Sequence, residues 1–90
     1  MQKRFQALFS GGVQGVGFRF SADRIARKFP VTGFVKNLPN GQVELVAEGK
    51  DESLGPFLQA VREAFPDSIQ DVKVDWGPAT GEFKNFGIKF

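Results

Sequence analysis

The segment Ser10-Gly11-Gly12-Val13-Gln14-Gly15-Val16-Gly17-Phe18-Arg19 places four glycines and one arginine within ten residues, a composition suited to holding an anion. A glycine-rich turn lets successive backbone N–H groups converge. The start of a following helix adds partial positive charge, so the two together cradle a phosphate or carboxylate. Gly15 and Gly17 permit the close approach of backbone to ligand that such binding needs. Arg19, on the first turn of the helix, carries a planar guanidinium able to hold two oxygens at once. A nucleotide P-loop has Lys and then Ser or Thr after its last glycine, whereas Phe18 and Arg19 stand here. A dinucleotide loop would have its third glycine where Phe20 stands. The competing reading is a tight turn whose glycines serve only backbone geometry.

Asn37 is the second candidate, within Gly33-Phe34-Val35-Lys36-Asn37-Leu38-Pro39-Asn40-Gly41-Gln42-Val43-Glu44. Its amide donates and accepts hydrogen bonds, which suits the orientation of a water molecule. If the strand carrying it runs parallel to the strand before the glycine turn, Asn37 falls near that turn. Otherwise Asn37 simply opens the hairpin that follows.

Composition limits the chemistry further. The 90 residues include no Cys and no His, which removes disulfides, thiol nucleophiles, Cys-based zinc sites and the commonest general base. Twelve Lys and Arg against ten Asp and Glu give a net charge of +2, far from the charge density of a nucleic-acid coat protein but compatible with an anionic small molecule. Lys3 and Arg4 precede a short apolar stretch that Gln6 and Ser10 interrupt, so the start reads as mature sequence rather than a leader. No apolar run approaches the ~20 residues that span a bilayer. These features predict a protein of a reducing compartment, taken as the cytoplasm, with one domain over residues 1–90 and no membrane partner; the chain is taken as a monomer without cofactor or nucleic-acid partner.

The elements that position the candidates follow from periodicity. Phe5, Ala7 and Phe9 alternate with Gln6 and Leu8 as a strand ending at Gly11. Phe18, Ala22, Ile25, Ala26 and Phe29 recur at helical spacing up to Pro30. Thr32 to Asn37 and Gln42 to Glu48 read as a hairpin joined by Leu38-Pro39-Asn40-Gly41. In its second strand Glu44 and Glu48 face away from Val43, Leu45 and Ala47, which predicts one solvated sheet face. Leu54, Phe57, Leu58, Val61 and Phe65 form the stripe of a second helix, with Pro56 tolerable near its first turn. Val72, Val74 and Trp76, then Phe86, Ile88 and Phe90, alternate as two further strands. The order β-α-β-β-α-β plus a terminal strand predicts a ferredoxin-like split βαβ fold of the α+β class, an antiparallel sheet with both helices on one face. Lys3, Arg4, Arg24, Arg27 and Lys28 read as a solvated charged face, and Trp76 as core or partly covered sheet.

The chain resembles the acylphosphatase family over essentially its whole length. The likeness rests on Val13-Gln14-Gly15-Val16-Gly17-Phe18-Arg19, on the hairpin Gly33 to Glu44, and on Pro78-Ala79-Thr80-Gly81-Glu82-Phe83 with Phe86-Gly87-Ile88. It implies the ferredoxin-like fold and hydrolysis of acyl phosphates to carboxylate and inorganic phosphate without a metal. It also implies that Val13, Gln14, Gly15, Val16, Gly17 and Phe18 form the phosphate-binding turn, that Arg19 clamps the phosphate and that Asn37 positions water. Gly12 departs from the family pattern, which often has a basic or polar side chain there.

Such a substrate suits a chain without His. Phosphoryl transfer through a loose transition state asks chiefly for positioning and charge stabilisation, and an acyl phosphate expels a carboxylate whose conjugate acid has a pKa of about 4 to 5. An alkyl phosphate would expel an alkoxide and need a general acid. Two other readings compete. Phe34-Val35-Lys36-Asn37-Leu38 and Gly15-Val16-Gly17-Phe18 faintly resemble the paired motifs of RNA-recognition modules of this fold, but in the reverse order. The chain also resembles the N-terminal acylphosphatase-like domain of hydrogenase maturation carbamoyltransferases, which handles carbamoyl phosphate in a much longer chain. A stop at Phe90 favours the free-standing enzyme.

Overall fold

The computed structural model describes residues 2–90. Its elements are β1 (Gln2–Gly11), α1 (Phe18–Ala26), β2 (Thr32–Asn37), β3 (Val43–Lys50), α2 (Asp51–Ala64), β4 (Ile69–Pro78) and β5 (Phe86–Lys89). The sheet order is β4-β1-β3-β2-β5. β1 lies antiparallel between β3 and β4, and β2 forms an antiparallel hairpin with β3 and a parallel pair with β5. β1 and β2 therefore run the same way with β3 between them, the split βαβ arrangement expected from the sequence.

Alternation along β1 sends Phe5, Ala7 and Phe9 to the helix side, where all three are fully buried. Phe18, Ala22 and Ala26 of α1 and Leu54, Phe57, Leu58 and Val61 of α2 meet them, joined by Val35, Val43, Leu45 and Ala47. Phe57 sits among Phe5, Phe29 and Phe86, with ring centroids 5.7–6.3 Å away. Burying each such side chain contributes roughly 1.5–3 kcal/mol, which explains how a small domain uses its phenylalanines.

Two helix boundaries differ from expectation. α1 ends at Ala26 rather than reaching Phe29. The N–H groups of Arg27, Lys28 and Phe29 donate to the carbonyls three residues back, at 3.0–3.3 Å, so the chain tightens before Pro30 while Phe29 still packs on the core. α2 begins at Asp51, directly after β3, and places Pro56 inside the helix rather than at its start. Gly55 and Pro56 are both exposed, so the carbonyl that lacks a donor there lies on the wet side.

The predicted solvated face of β3 is the main correction. Val46 and Glu48 are 1% and 4% exposed. The segment 79–85, between β4 and β5, crosses that face. Glu48 accepts hydrogen bonds from Thr80 N–H (2.9 Å), Thr80 Oγ1 (2.8 Å), Gly81 N–H (3.0 Å) and Arg4 Nη1 (3.0 Å). Arg4 also reaches Glu82 at 2.8 Å and lies 5.4 Å from the Phe83 ring centroid, so it is a structural clasp and not part of a solvated face. Burial pushes the Glu48 carboxyl upward, but its donors outweigh burial and hold it at about 2. With the folded pKa depressed, the stabilisation is present above about pH 4.5 and is lost as pH falls toward 2. Glu48→Gln should lower unfolding stability near neutral pH by about 2–3 kcal/mol and flatten the acid limb of the stability–pH curve in that window, as read by urea titrations.

Candidate active site

The glycine turn hangs between two buried anchors. Val13 is fully buried on one side, and on the other Phe18 is 2% exposed, with centroids 4.9 Å from both Phe9 and Phe65. Before them, Gly12 N–H donates to Ser68 C=O at 2.9 Å. The anchors hold the intervening backbone at the surface while Gly15, Val16 and Gly17 stay exposed. Gly15 and Gly17 have φ of +80° and +79°, in the left-handed region that favours glycine, and a Cβ at either would meet nothing within 4 Å. Both positions therefore need glycine for backbone conformation, and the space above them is open.

Gly17 caps α1 without a side-chain hydrogen bond, and no acidic residue occupies the first turn. The first helical bond runs from Ser21 N–H to Gly17 C=O at 3.0 Å. The N–H groups of Phe18, Arg19 and Phe20 precede that first bond and so have no intrahelical partner. They add to the positive end of the helix dipole. The result is a row of free donors around an open surface, the requirement for an oxyanion site.

The Gln14 side chain fixes this turn against the β2–β3 hairpin: Nε2 donates to Leu38 C=O at 2.8 Å and Gln42 C=O at 2.9 Å. Val13, Gln14 and Phe18 thus offer an anion only their backbone, since their side chains serve as anchors and ties. The hairpin turn is closed by Leu38 N–H to Gln42 C=O at 2.8 Å and Gln42 N–H to Asn40 Oδ1 at 3.0 Å.

Asn37 ends β2 immediately before that turn. The parallel register pairs Val35 with Ile88 and Lys36 with Lys89, so the next residues, Asn37 and Phe90, come alongside one another. Val35 and Ile88 face the helices, and residues two apart in a strand share a face, so Asn37 and Phe90 share it too. The Arg19 guanidinium carbon lies 5.0 Å from the centroid of the Phe90 ring. Arg19, Phe90 and Asn37 are thereby brought to one end of the sheet, beside the glycine turn. Asn37 Oδ1 is buried and, among the described residues, has no hydrogen-bond partner. Leaving such an acceptor unpaired costs roughly 1–3 kcal/mol, a cost that a bound water or ligand removes.

The structure gathers Arg19, the turn and Asn37 at one end of the sheet, and adds the Gln14 tie and Phe90, which the sequence reading did not foresee. Phe90 was legible only as the last member of the Phe86, Ile88, Phe90 alternation.

The fold and the site together define a split βαβ domain with an amide cradle, an arginine and a buried amide oxygen at one sheet end. The acylphosphatase family model matches residues 5–88, and the chain belongs to the acylphosphatase family. It is 40% identical over 89 residues to the acylphosphatase of Salinibacter ruber, covering 98% of this chain and 94% of that one. The crystal structure of acylphosphatase from Bacillus subtilis superposes with a TM-score of 0.90 at 34% identity, covering 98% and 99% of the two chains. Full-length HypF contains a similar unit, with a TM-score of 0.89 at 29% identity, covering 100% of this chain but 12% of that one.

Proposed function

We propose that the chain hydrolyses the carboxyl–phosphate bond of acyl phosphates by attack of water at phosphorus. The turn amides from Gly15 to Phe18 and the Arg19 guanidinium hold the phosphoryl oxygens and offset the charge that develops on them. Asn37 Oδ1 accepts one O–H of the attacking water and turns a lone pair toward phosphorus. The new P–O bond forms as the bond to the acyl oxygen breaks. The carboxylate leaves unprotonated, and the proton of the water passes to a phosphate oxygen, so acyl phosphate and water become carboxylate and dihydrogen phosphate. No residue has to act as acid or base.

The observation that carries this reading is Asn37 Oδ1, a buried acceptor without a partner among the described residues, directly before the hairpin turn that Gln14 ties to the glycine turn. A folded chain retains such an unpaired group where a ligand pairs it. The reading takes the protein as a single-domain, metal-independent monomer of the cytoplasm acting on a small molecule, without nucleic-acid or membrane partners. No helix of the described residues is long and apolar enough to cross a membrane. Phosphate release from benzoyl phosphate should proceed at the same rate before and after exhaustive treatment with EDTA. Loss of activity on chelation, restored by a divalent ion, would refute the metal-free reading.

A further inference from the structure

Four large apolar side chains stand exposed among the described residues: Val16, Phe20, Trp76 and Phe90. Three of them lie on the segments that carry the candidate phosphate site or stack on its arginine. Val16 is 46% exposed within the amide turn, Phe20 is 63% exposed next to Arg19 on the first turn of α1, and Phe90 is 90% exposed with its ring against the Arg19 guanidinium. The fourth, Trp76, pairs with Phe5 toward the other end of β1. Scattered single apolar residues on a surface need no explanation, but three within or next to the segments of one candidate anion site do. None is needed to bind phosphate, and each loses contact with water if an apolar group settles beside it.

We propose that Val16, Phe20 and Phe90 form an apolar rim that takes the acyl group, making the preferred substrates acyl phosphates with aromatic or extended apolar acyl groups. This rests on the acyl phosphate reading and adds to it the part of the substrate outside the phosphate. With the phosphate seated on the amides, the acyl group projects from the open turn past these side chains. Short acyl groups such as acetyl reach little of the rim, and charged ones would lose hydration against it.

The test compares kcat/KM for benzoyl phosphate and acetyl phosphate in wild type, Phe20→Ala/Phe90→Ala, Phe20→Leu/Phe90→Leu and Trp76→Ala. Wild type should favour benzoyl phosphate. The double Ala variant should lose about three- to tenfold of that preference, less than an enclosed pocket would show because the rim is open. The double Leu variant should keep most of the preference, since Leu retains apolar surface while abolishing the ring stack on Arg19. Trp76→Ala should leave the ratio unchanged. If both rates fell together in the double Ala variant with their ratio intact, Phe90 would only position Arg19 and the rim would be refuted. Equal loss of preference in Trp76→Ala would refute it as well. If wild type hydrolysed neither compound, the activity reading would fail and the rim with it.

Discussion

Arg19→Ala lowers kcat/KM for benzoyl phosphate by about a thousandfold or more, while the variant folds to within about 1 kcal/mol of wild type. The activity loss follows from what the guanidinium is asked to do. Removing one preorganised donor from an oxyanion site costs about 3–4 kcal/mol of transition-state stabilisation, and Arg19 supplies a full charge as well as paired donors. The small stability change follows from its surroundings: among the described residues it forms no salt bridge, and its contact is the stack on an exposed ring, worth roughly 0.5–1 kcal/mol. Inhibition by inorganic phosphate should weaken in parallel, because the product occupies the same cradle. Steady-state kinetics with phosphate titration, alongside urea unfolding, reads all three quantities. A folded Arg19→Ala protein of undiminished activity would remove the residue from the mechanism.

Asn37→Ala has the second-largest expected effect, about a hundred- to thousandfold in kcat with little change in phosphate inhibition. Misplacing a reacting water by about 1 Å is enough for a loss of that size. Stability should move the other way. Oδ1 is buried without a partner among the described residues, so its removal deletes an uncompensated acceptor, and the variant should match or exceed wild type by up to about 1 kcal/mol. A residue whose loss abolishes turnover yet does not destabilise the fold is one retained for chemistry. If Asn37 were merely the start of the hairpin, its replacement would destabilise the protein and leave kcat nearly intact.

The parts of this architecture that were legible in the sequence are those set by local pattern. The span Thr32 to Asn37, the helical stripes through Ala22 and Leu54, and the glycines of the turn all follow from periodicity and backbone permissiveness within a few residues. What was not legible depends on segments distant in sequence. Glu48 reads as a wet-face carboxylate by alternation and becomes buried only because Thr80 and Gly81, more than thirty residues on, supply its donors. Arg4 reads as a surface charge for the same reason, with Glu48 and Glu82 as partners at separations of 44 and 78 residues. At the site, the turn and Arg19 are contiguous and could be recognised directly. The orphaned oxygen of Asn37 and the placement of Phe90 beside it depend on the parallel β2–β5 register, which side-chain alternation does not encode.

The absence of His and Cys is the feature that the mechanism has to answer, and it does so through the leaving group. Benzoate departs as the anion of an acid of pKa about 4, whereas phenolate departs as the anion of an acid of pKa about 10 and calls for a proton donor. The most direct test is therefore phosphate release from benzoyl phosphate and from phenyl phosphate by the same wild-type preparation in EDTA. Ready turnover of benzoyl phosphate with no measurable hydrolysis of phenyl phosphate is the result predicted here. Comparable rates on the anhydride and the ester would contradict it, because the chain would then be supplying acid catalysis that an arginine, an asparagine and a row of backbone amides do not provide.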